Sequence, residues 1–320
     1  MRILLTCQNL VERAGSKQYC HALASAWADQ HEVWVVAFGK HDGPMGQDMM
    51  ALRIHSVLHI DQLEPLMVPD LDQPFFDLGI VSPNVCFGRV RKLCRRVVNV
   101  SHGIVDLEAP VAGADHYVYI SEEAERHWRH ARNLMGDGWK DSVIRNAIDL
   151  SRYYPVEPPR KRVECIAHFS NYDELPGLAE VCLERGIRFH RIKHKPYPVV
   201  LEQLNDADLV FAVGRSALEA MACGREVAFC DNRSYYGVDG AALADGLASE
   251  VYRQARFNNC SGRWAGHQWG PHSYIKCAID LYSEDAAWSN RELVAGSHDH
   301  RRIAEKILRT VGLQGMAEAA

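Results

Sequence analysis

Short apolar runs alternate along the chain with stretches whose apolar residues recur every three or four positions. An unbroken apolar run suits a parallel strand covered on both faces, and the spaced pattern suits a helix laid against it. The alternation therefore predicts βαβ units around parallel sheets. Residues 3–5 open a strand, a polar loop containing Gly15 and Ser16 follows, and Tyr19, Leu23 and Trp27 then fall on one helical stripe. Further strands are predicted at residues 33–38, 78–81, 97–100, 117–120 and 143–144. The pattern breaks at residues 153–159, where Pro155, Pro158 and Pro159 can continue neither a helix nor a central strand. It restarts with strands at 163–167, 187–192, 209–213 and 226–229. A last amphipathic helix runs from His300 to Val311 on Ile303, Ile307 and Val311, with Ser297 or Asp299 as cap.

This organisation predicts an α/β chain of two Rossmann-like domains, residues 1–152 and 153–296, with a C-terminal helix and tail at 297–320. Parallel sheets in both halves would turn their carboxyl ends toward a central cleft, which is where open α/β sheets bind ligands.

Composition narrows the choice. A chain of 320 residues, 47% hydrophobic, exceeds the size at which one core tends to split in two. Its net charge of -5 offers no broad basic field, so nucleic acid is not an expected partner. The apolar start MRILLT is too short for a signal-peptide core or a membrane span, and the expected location is cytoplasmic. Ten cysteines without Cys-x-x-Cys spacing read as buried thiols. Among 16 histidines, the pairs His127 with His130 and His298 with His300 lack a third ligand and read as solvated surface residues, so no metal site is expected.

Two segments carry candidate chemistry. The loop Arg13-Ala14-Gly15-Ser16-Lys17 could offer helix-start N–H groups to a phosphate or sugar, or be a plain strand-to-helix turn. In the second half, Arg215-Ser216-Ala217-Leu218-Glu219 opens a helix closed by Gly224. Glu219, one turn in, could accept both hydroxyls of a ribose; the same spacing also fits a capping box with Ser216 as cap.

Several motifs in order resemble the GT-B glycosyltransferases, and among them the retaining family four (glycosyl transferases group 1). Gln30-His31-Glu32-Val33 is similar to that family's entry to its second strand, and Ser101-His102-Gly103 to its histidine at a strand end. Ala114-Asp115-His116-Tyr117-Val118-Tyr119-Ile120-Ser121-Glu122 resembles a further family segment. Asn146-Ala147-Ile148-Asp149 with Tyr154-Pro155 resembles its interdomain linker, and Leu218-Glu219-Ala220-Met221-Ala222-Cys223-Gly224 its C-terminal signature.

The resemblance implies a transferase moving a sugar from a nucleotide-diphosphate sugar, a UDP- or GDP-sugar, to a hydroxyl acceptor, with retention and without a metal or further cofactor. It implies Glu219 on the donor ribose, the backbone of Ser216, Ala217 and Leu218 on the diphosphate or sugar, and His102 beside the reacting centre, where a structural histidine is the other reading. Gly15 and Ser16 would meet the acceptor or a phosphate.

Two family features are missing. Phe211 stands where a paired glutamate is usual, and residues 167–171 hold no Arg or Lys clamp, so Arg215, Lys193 or Lys195 would supply the charge. An epimerase of the same fold and a catalytically silent nucleotide-sugar-binding protein are the alternatives. Lastly, Arg89–Arg96 reads as a basic amphipathic helix, which either contacts a membrane peripherally, as suits a glycan or lipid-linked acceptor, or packs with a solvated basic face.

Overall fold

The computed structural model describes residues 1–63, 74–131, 139–171, 175–231, 242–260 and 271–314. The chain forms two compact units, Met1–Asp149 completed by His300–Ala320, and Leu150–Asp299. The first begins with β1 (Arg2–Cys7), α1 (Gly15–Trp27), β2 (Glu32–Ala37), α2 (Pro44–Met50), β3 (Ser56–His59) and α3 (Ile60–Leu63). It continues with β4 (Phe76–Val81), α4 (Phe87–Leu93), β5 (Cys94–Ser101), β6 (His116–Tyr119), α5 (Glu122–Ala131) and β7 (Asp141–Val143). The second unit holds β8 (Cys165–Phe169), α6 (Leu178–Arg185), β9 (Arg188–Ile192), α7 (Tyr197–Asp206), β10 (Leu209–Ala212), α8 (Arg215–Ala222) and β11 (Glu226–Asp231). It ends with β12 (Ala242–Leu247), α9 (Ala248–Ala255), α10 (Pro271–Asp280) and α11 (Glu284–His298), after which α12 (His300–Thr310) returns to the first unit.

The first sheet runs β3-β2-β1-β4-β5-β6-β7 with every pair parallel. Successive residues of a strand face opposite sides, and β1 shows the result. Ile3 and Leu5 pack with Tyr19, Leu23 and Trp27 of α1 and Ile303 and Ile307 of α12, whereas Leu4 packs with Val90 and Leu93 of α4. Gly79 in β4 allows α4 and β5 to close over it: a Cβ there would lie 2.6 Å from Cys94 Sγ and 2.8 Å from a Val90 methyl. The second sheet runs β12-β11-β10-β8-β9, parallel except for the edge strand β12, which is antiparallel to β11.

The proline-rich residues 153–159 lie inside the second unit, and its side chains satisfy their backbone. Asn205 accepts from the Val156 N–H at 2.7 Å and donates to the Tyr154 carbonyl at 3.1 Å. Arg225, 1% exposed, donates to the carbonyls of Glu157, Ala207 and Cys223. All ten cysteines are free thiols, nine of them buried. Among the described residues no helix is long and apolar enough to cross a membrane.

Two expectations are corrected. The segment Arg89–Arg96 is not one helix: α4 ends at Leu93, and Arg95 and Arg96 enter β5, whose β-branched run Val97, Val98 and Val100 fits the sheet core. Arg89 pairs with Asp61, and Arg91 and Arg96 both pair with Asp115, so the segment presents less net charge than its sequence suggests. His298 and His300, expected at the surface, are 2% and 3% exposed. His298 Nε2 lies 2.7 Å from the Tyr252 hydroxyl, and His300 lies 3.4 Å from Asp149, which also accepts from Ser25.

Candidate functional site

In the first sheet β1 and β4 are neighbours although two strands separate them in sequence. Helix α1, which follows β1, and α4, which follows β4, cover opposite faces. The carboxyl ends of β1 and β4 thus flank a topological switch point, the position at which open α/β sheets take ligands. A cavity of about 40 Å³ lies there, lined in part by Cys7, Ser16, Lys17, Ser82, Leu107 and Glu108. Ser16 belongs to the first turn of α1, which starts at Gly15 and carries no side-chain cap. Arg13, just before it, is held by Asp48 in a bidentate pair of 2.7 and 2.9 Å, fixing the loop on α2.

His102 follows β5 directly. Its Nε2 lies 3.0 Å from the Ser82 hydroxyl, and its ring meets Tyr19 edge-on with centroids 4.7 Å apart. Ser82 and Glu108, which line the cavity, both contact this residue: the first through the ring, the second by accepting from the His102 backbone N–H. The turn Asp106–Glu108 is secured by the Ser101 hydroxyl, which donates to the Glu108 carbonyl at 2.6 Å.

Burial pushes the Glu108 carboxyl up to about 7, against the opposing bond from the His102 amide. Lys17, 8% exposed, is pulled below its ordinary value by burial, with Glu12 and Cys7 opposing. The folded state thus keeps a proton on Glu108 that the unfolded chain releases near 4.5, so its contribution favours folding at acid pH and fades as pH rises through about 7. The urea midpoint of the parent is therefore expected to fall relative to that of Glu108→Gln between those two values and to run parallel above them. Parallel curves over the whole range would mean an ordinary carboxyl.

In the second sheet the switch point lies between β8 and β10. The chain leaves β10 through Val213 and turns at Gly214, whose φ of 60° and ψ of -129° strain any residue with a Cβ. Helix α8 then begins at Arg215 with no side-chain cap. That start makes Ser216 the second helical residue, so the alternative capping box does not form. Arg215 Nε donates to Glu219 Oε1 at 2.7 Å, the two side chains being 8% and 5% exposed. Burial raises the Glu219 carboxyl above its ordinary value, while Arg215, Arg152 and Tyr153 pull it back.

Phe211 lies inside β10 and is fully buried, 6.1 Å from the Tyr274 ring. Counting back to the usual glutamate position thus lands within the strand, not in a loop that could meet a ligand. Arg191, unnoticed in the sequence, donates to the carbonyls of His168 and Ser170 at 3.1 and 2.7 Å and places a guanidinium under the end of β8. Lys193 is exposed just beyond β9, with Lys195 nearby.

Among the described residues one trio could hold a metal by proximity, Cys165, His190 and Asp206. Asp206 is already bonded to Arg188, His190 and Arg160, and this set, Arg188 foremost, holds its carboxyl well below the usual carboxylate range. Burial pushes the Cys165 thiol up to about 12. Two guanidiniums beside a protonated thiol oppose a further cation, so Asp206 is the centre of an ion-pair network.

No protein-family model matches the sequence, and no curated protein matches it. Solved structures do match. HepE of Anabaena, in complex with UDP and glucose, superposes with a TM-score of 0.62 at 16% identity over 98% of this chain and 99% of that one. Sucrose-phosphate synthase from Thermosynechococcus elongatus gives 0.58 at 12% identity over 97% and 98%. A putative UDP-N-acetylglucosamine 2-epimerase from Listeria monocytogenes gives 0.54 at 10% identity over 97% and 95%. The chain has the GT-B fold, with two Rossmann-like domains.

Proposed function

We propose that this protein is a cytoplasmic glycosyltransferase that moves a sugar from a UDP- or GDP-sugar to a hydroxyl acceptor, with retention at the anomeric carbon and without a metal. The observation that carries this reading is the fold shared from end to end with HepE, a protein solved with UDP and with UDP-glucose.

In this proposal the bond from the anomeric carbon to the diphosphate breaks, and negative charge gathers on the leaving phosphate. The uncapped first turn of α8, at Ser216, Ala217 and Leu218, offers backbone N–H groups to that charge, and Arg215 and Lys193 add positive charge. Glu219 takes the ribose hydroxyls while Arg215 holds its other side. Gly15 and Ser16, at the uncapped start of α1, meet a phosphate or the acceptor. His102, oriented by Ser82 and Tyr19, meets a sugar hydroxyl beside the reacting carbon.

A melting screen against UDP, GDP, ADP, TDP and CMP and their sugars tests the reading. A ligand at one hundred times its Kd adds about 2.7 kcal/mol of stability, so UDP or GDP is expected to raise the melting temperature clearly. Turnover is then expected to persist in EDTA and to yield the donor's anomeric configuration. If no nucleotide shifts melting, the reading fails. Conversion of the donor sugar to its epimer with no acceptor present favours the epimerase instead, and binding without turnover favours a silent binding protein.

A further inference from the structure

Lys17 is a buried cation whose ammonium meets no anion of the fold. The residue is 8% exposed, and among the described residues no hydrogen bond or ion pair reaches its Nζ. Lysine is almost never buried unless paired. The buried arginines follow that rule: Arg215 pairs with Glu219, and Arg225 donates to three carbonyls. Glu12 and Cys7 favour the charge on Lys17 from nearby, but Glu12 is exposed to water and forms no ion pair with it.

The place where Lys17 is buried gives it a use. It lines the cavity at the ends of β1 and β4 together with Thr6, Gln8, Ser16 and Ser82. Thr6 and Ser82 are already engaged, by the Ile80 carbonyl and the His102 ring, whereas the Ser16 hydroxyl is not. Gln8 is exposed and Ser16 half-buried, so that side opens to solvent while Thr6, Lys17 and Ser82 lie deeper. The first bond of the 13-residue helix α1 runs from the Gln18 N–H to the Ala14 carbonyl. The N–H groups of Gly15, Ser16 and Lys17 therefore have no helical partner, no side chain caps them, and no acidic residue stands in that turn. The positive end of a helix and an ammonium thus serve one cavity at a switch point of the sheet.

We infer that this cavity seats one carboxylate group of a small-molecule ligand, with Lys17 as its counter-ion and Ser16 and the first turn of α1 as hydrogen-bond donors. The inference concerns the first unit alone and holds whether or not the chain transfers a sugar. Size selects the carboxylate. The cavity measures about 40 Å³ against about 30 Å³ for one water in the liquid, which suits a planar three-atom group and excludes a sugar ring. The ring that carries the carboxylate stays on the open side. Glu108 also lines the cavity, but its carboxyl accepts from the His102 amide and is uncharged below about 7, so in that range it does not oppose an anion.

The test compares the full chain with Lys17→Met, which keeps the apolar stem and has no charge to desolvate. Without ligand the variant is expected to melt at or above the parent. Sodium D-glucuronate, D-glucose and inorganic phosphate are then added at about pH 6, with ionic strength held constant by sodium chloride. Saturating glucuronate is expected to raise the melting temperature of the parent by about 2 °C or more and to move the amide resonances of Ser16 and Lys17. In Lys17→Met it is expected to do no more than glucose does. Equal shifts with glucuronate and glucose, equal shifts in the two proteins, or a variant that melts below the parent each overturn the site. A parent shift with phosphate as large as with glucuronate overturns the choice of carboxylate. Melting with UDP tests the transferase reading separately: a UDP shift without a glucuronate shift keeps that reading and overturns this one, and the reverse keeps this site and overturns that reading.

Discussion

His102→Ala is expected to lower turnover by about 10²–10⁴-fold while nucleotide-sugar affinity changes little. The side chain stands just past the end of β5, its ring nitrogen 3.0 Å from the Ser82 hydroxyl and its edge against Tyr19. Both contacts fix the ring's direction without requiring it to be charged. A bond from that ring to a sugar hydroxyl that strengthens as the anomeric carbon gains positive character would act on kcat more than on binding. A histidine that only packs against Tyr19 gives a different result, a lower melting temperature with parental turnover per folded molecule. Measuring turnover, affinity and melting on one preparation separates the two.

Glu219→Ala is expected to destabilise the fold by about 1.5–3 kcal/mol, because it removes the charge-assisted hydrogen bond that the buried Arg215 guanidinium makes to Glu219. The second change Arg215→Met should recover most of that loss, since an apolar side chain of similar length has no charge to desolvate. Urea unfolding of the parent, the single variant and the double variant measures both effects. A cost below about 1 kcal/mol would mean that water reaches the pair and that its attraction is weak, as in surface ion pairs. Any effect of Glu219→Ala on nucleotide affinity must therefore be read on protein shown to be folded at the assay temperature.

The alternation of apolar runs and spaced stripes placed most of the parallel strands, because buried β-branched runs such as Val33–Val36 have few other uses. It did not place β12, an edge strand whose sequence Ala-Leu-Ala-Asp-Gly-Leu has neither a β-branched nor an aromatic residue. The segment Arg89–Arg96 misled because Val90, Leu93, Cys94 and Val97 fit a helical face as well as they fit a helix followed by a strand. His102 was legible because it sits in a motif at a strand end. Glu108 was not, since it lies in a three-residue turn too short to show a period, and the surroundings that raise its carboxyl come from packing that no local pattern encodes. Lys17 was visible as part of a polar loop, but its removal from water depends on contacts made by the folded first unit. His298 and His300 looked solvated amid charged neighbours, and only their distant partners Tyr252 and Asp149 explain their burial.

The return of α12 makes the second unit an insertion within the first. The chain leaves the first unit after Asp149 and re-enters at His300, whose N–H donates to the Ile148 carbonyl at 3.1 Å. The exit and the re-entry therefore lie one hydrogen bond apart, and the buried His300–Asp149 pair ties them side by side. On the ribosome this reverses the usual order of events, in which the leading domain matures first. Tyr19, Leu23 and Trp27 of α1 lack their α12 partners Ile303 and Ile307 until the whole inserted unit has been made, so the apolar face of α1 waits for α12. The continuous span Leu150–Asp299 has no such dependence on α12 and can be complete while its host is still open.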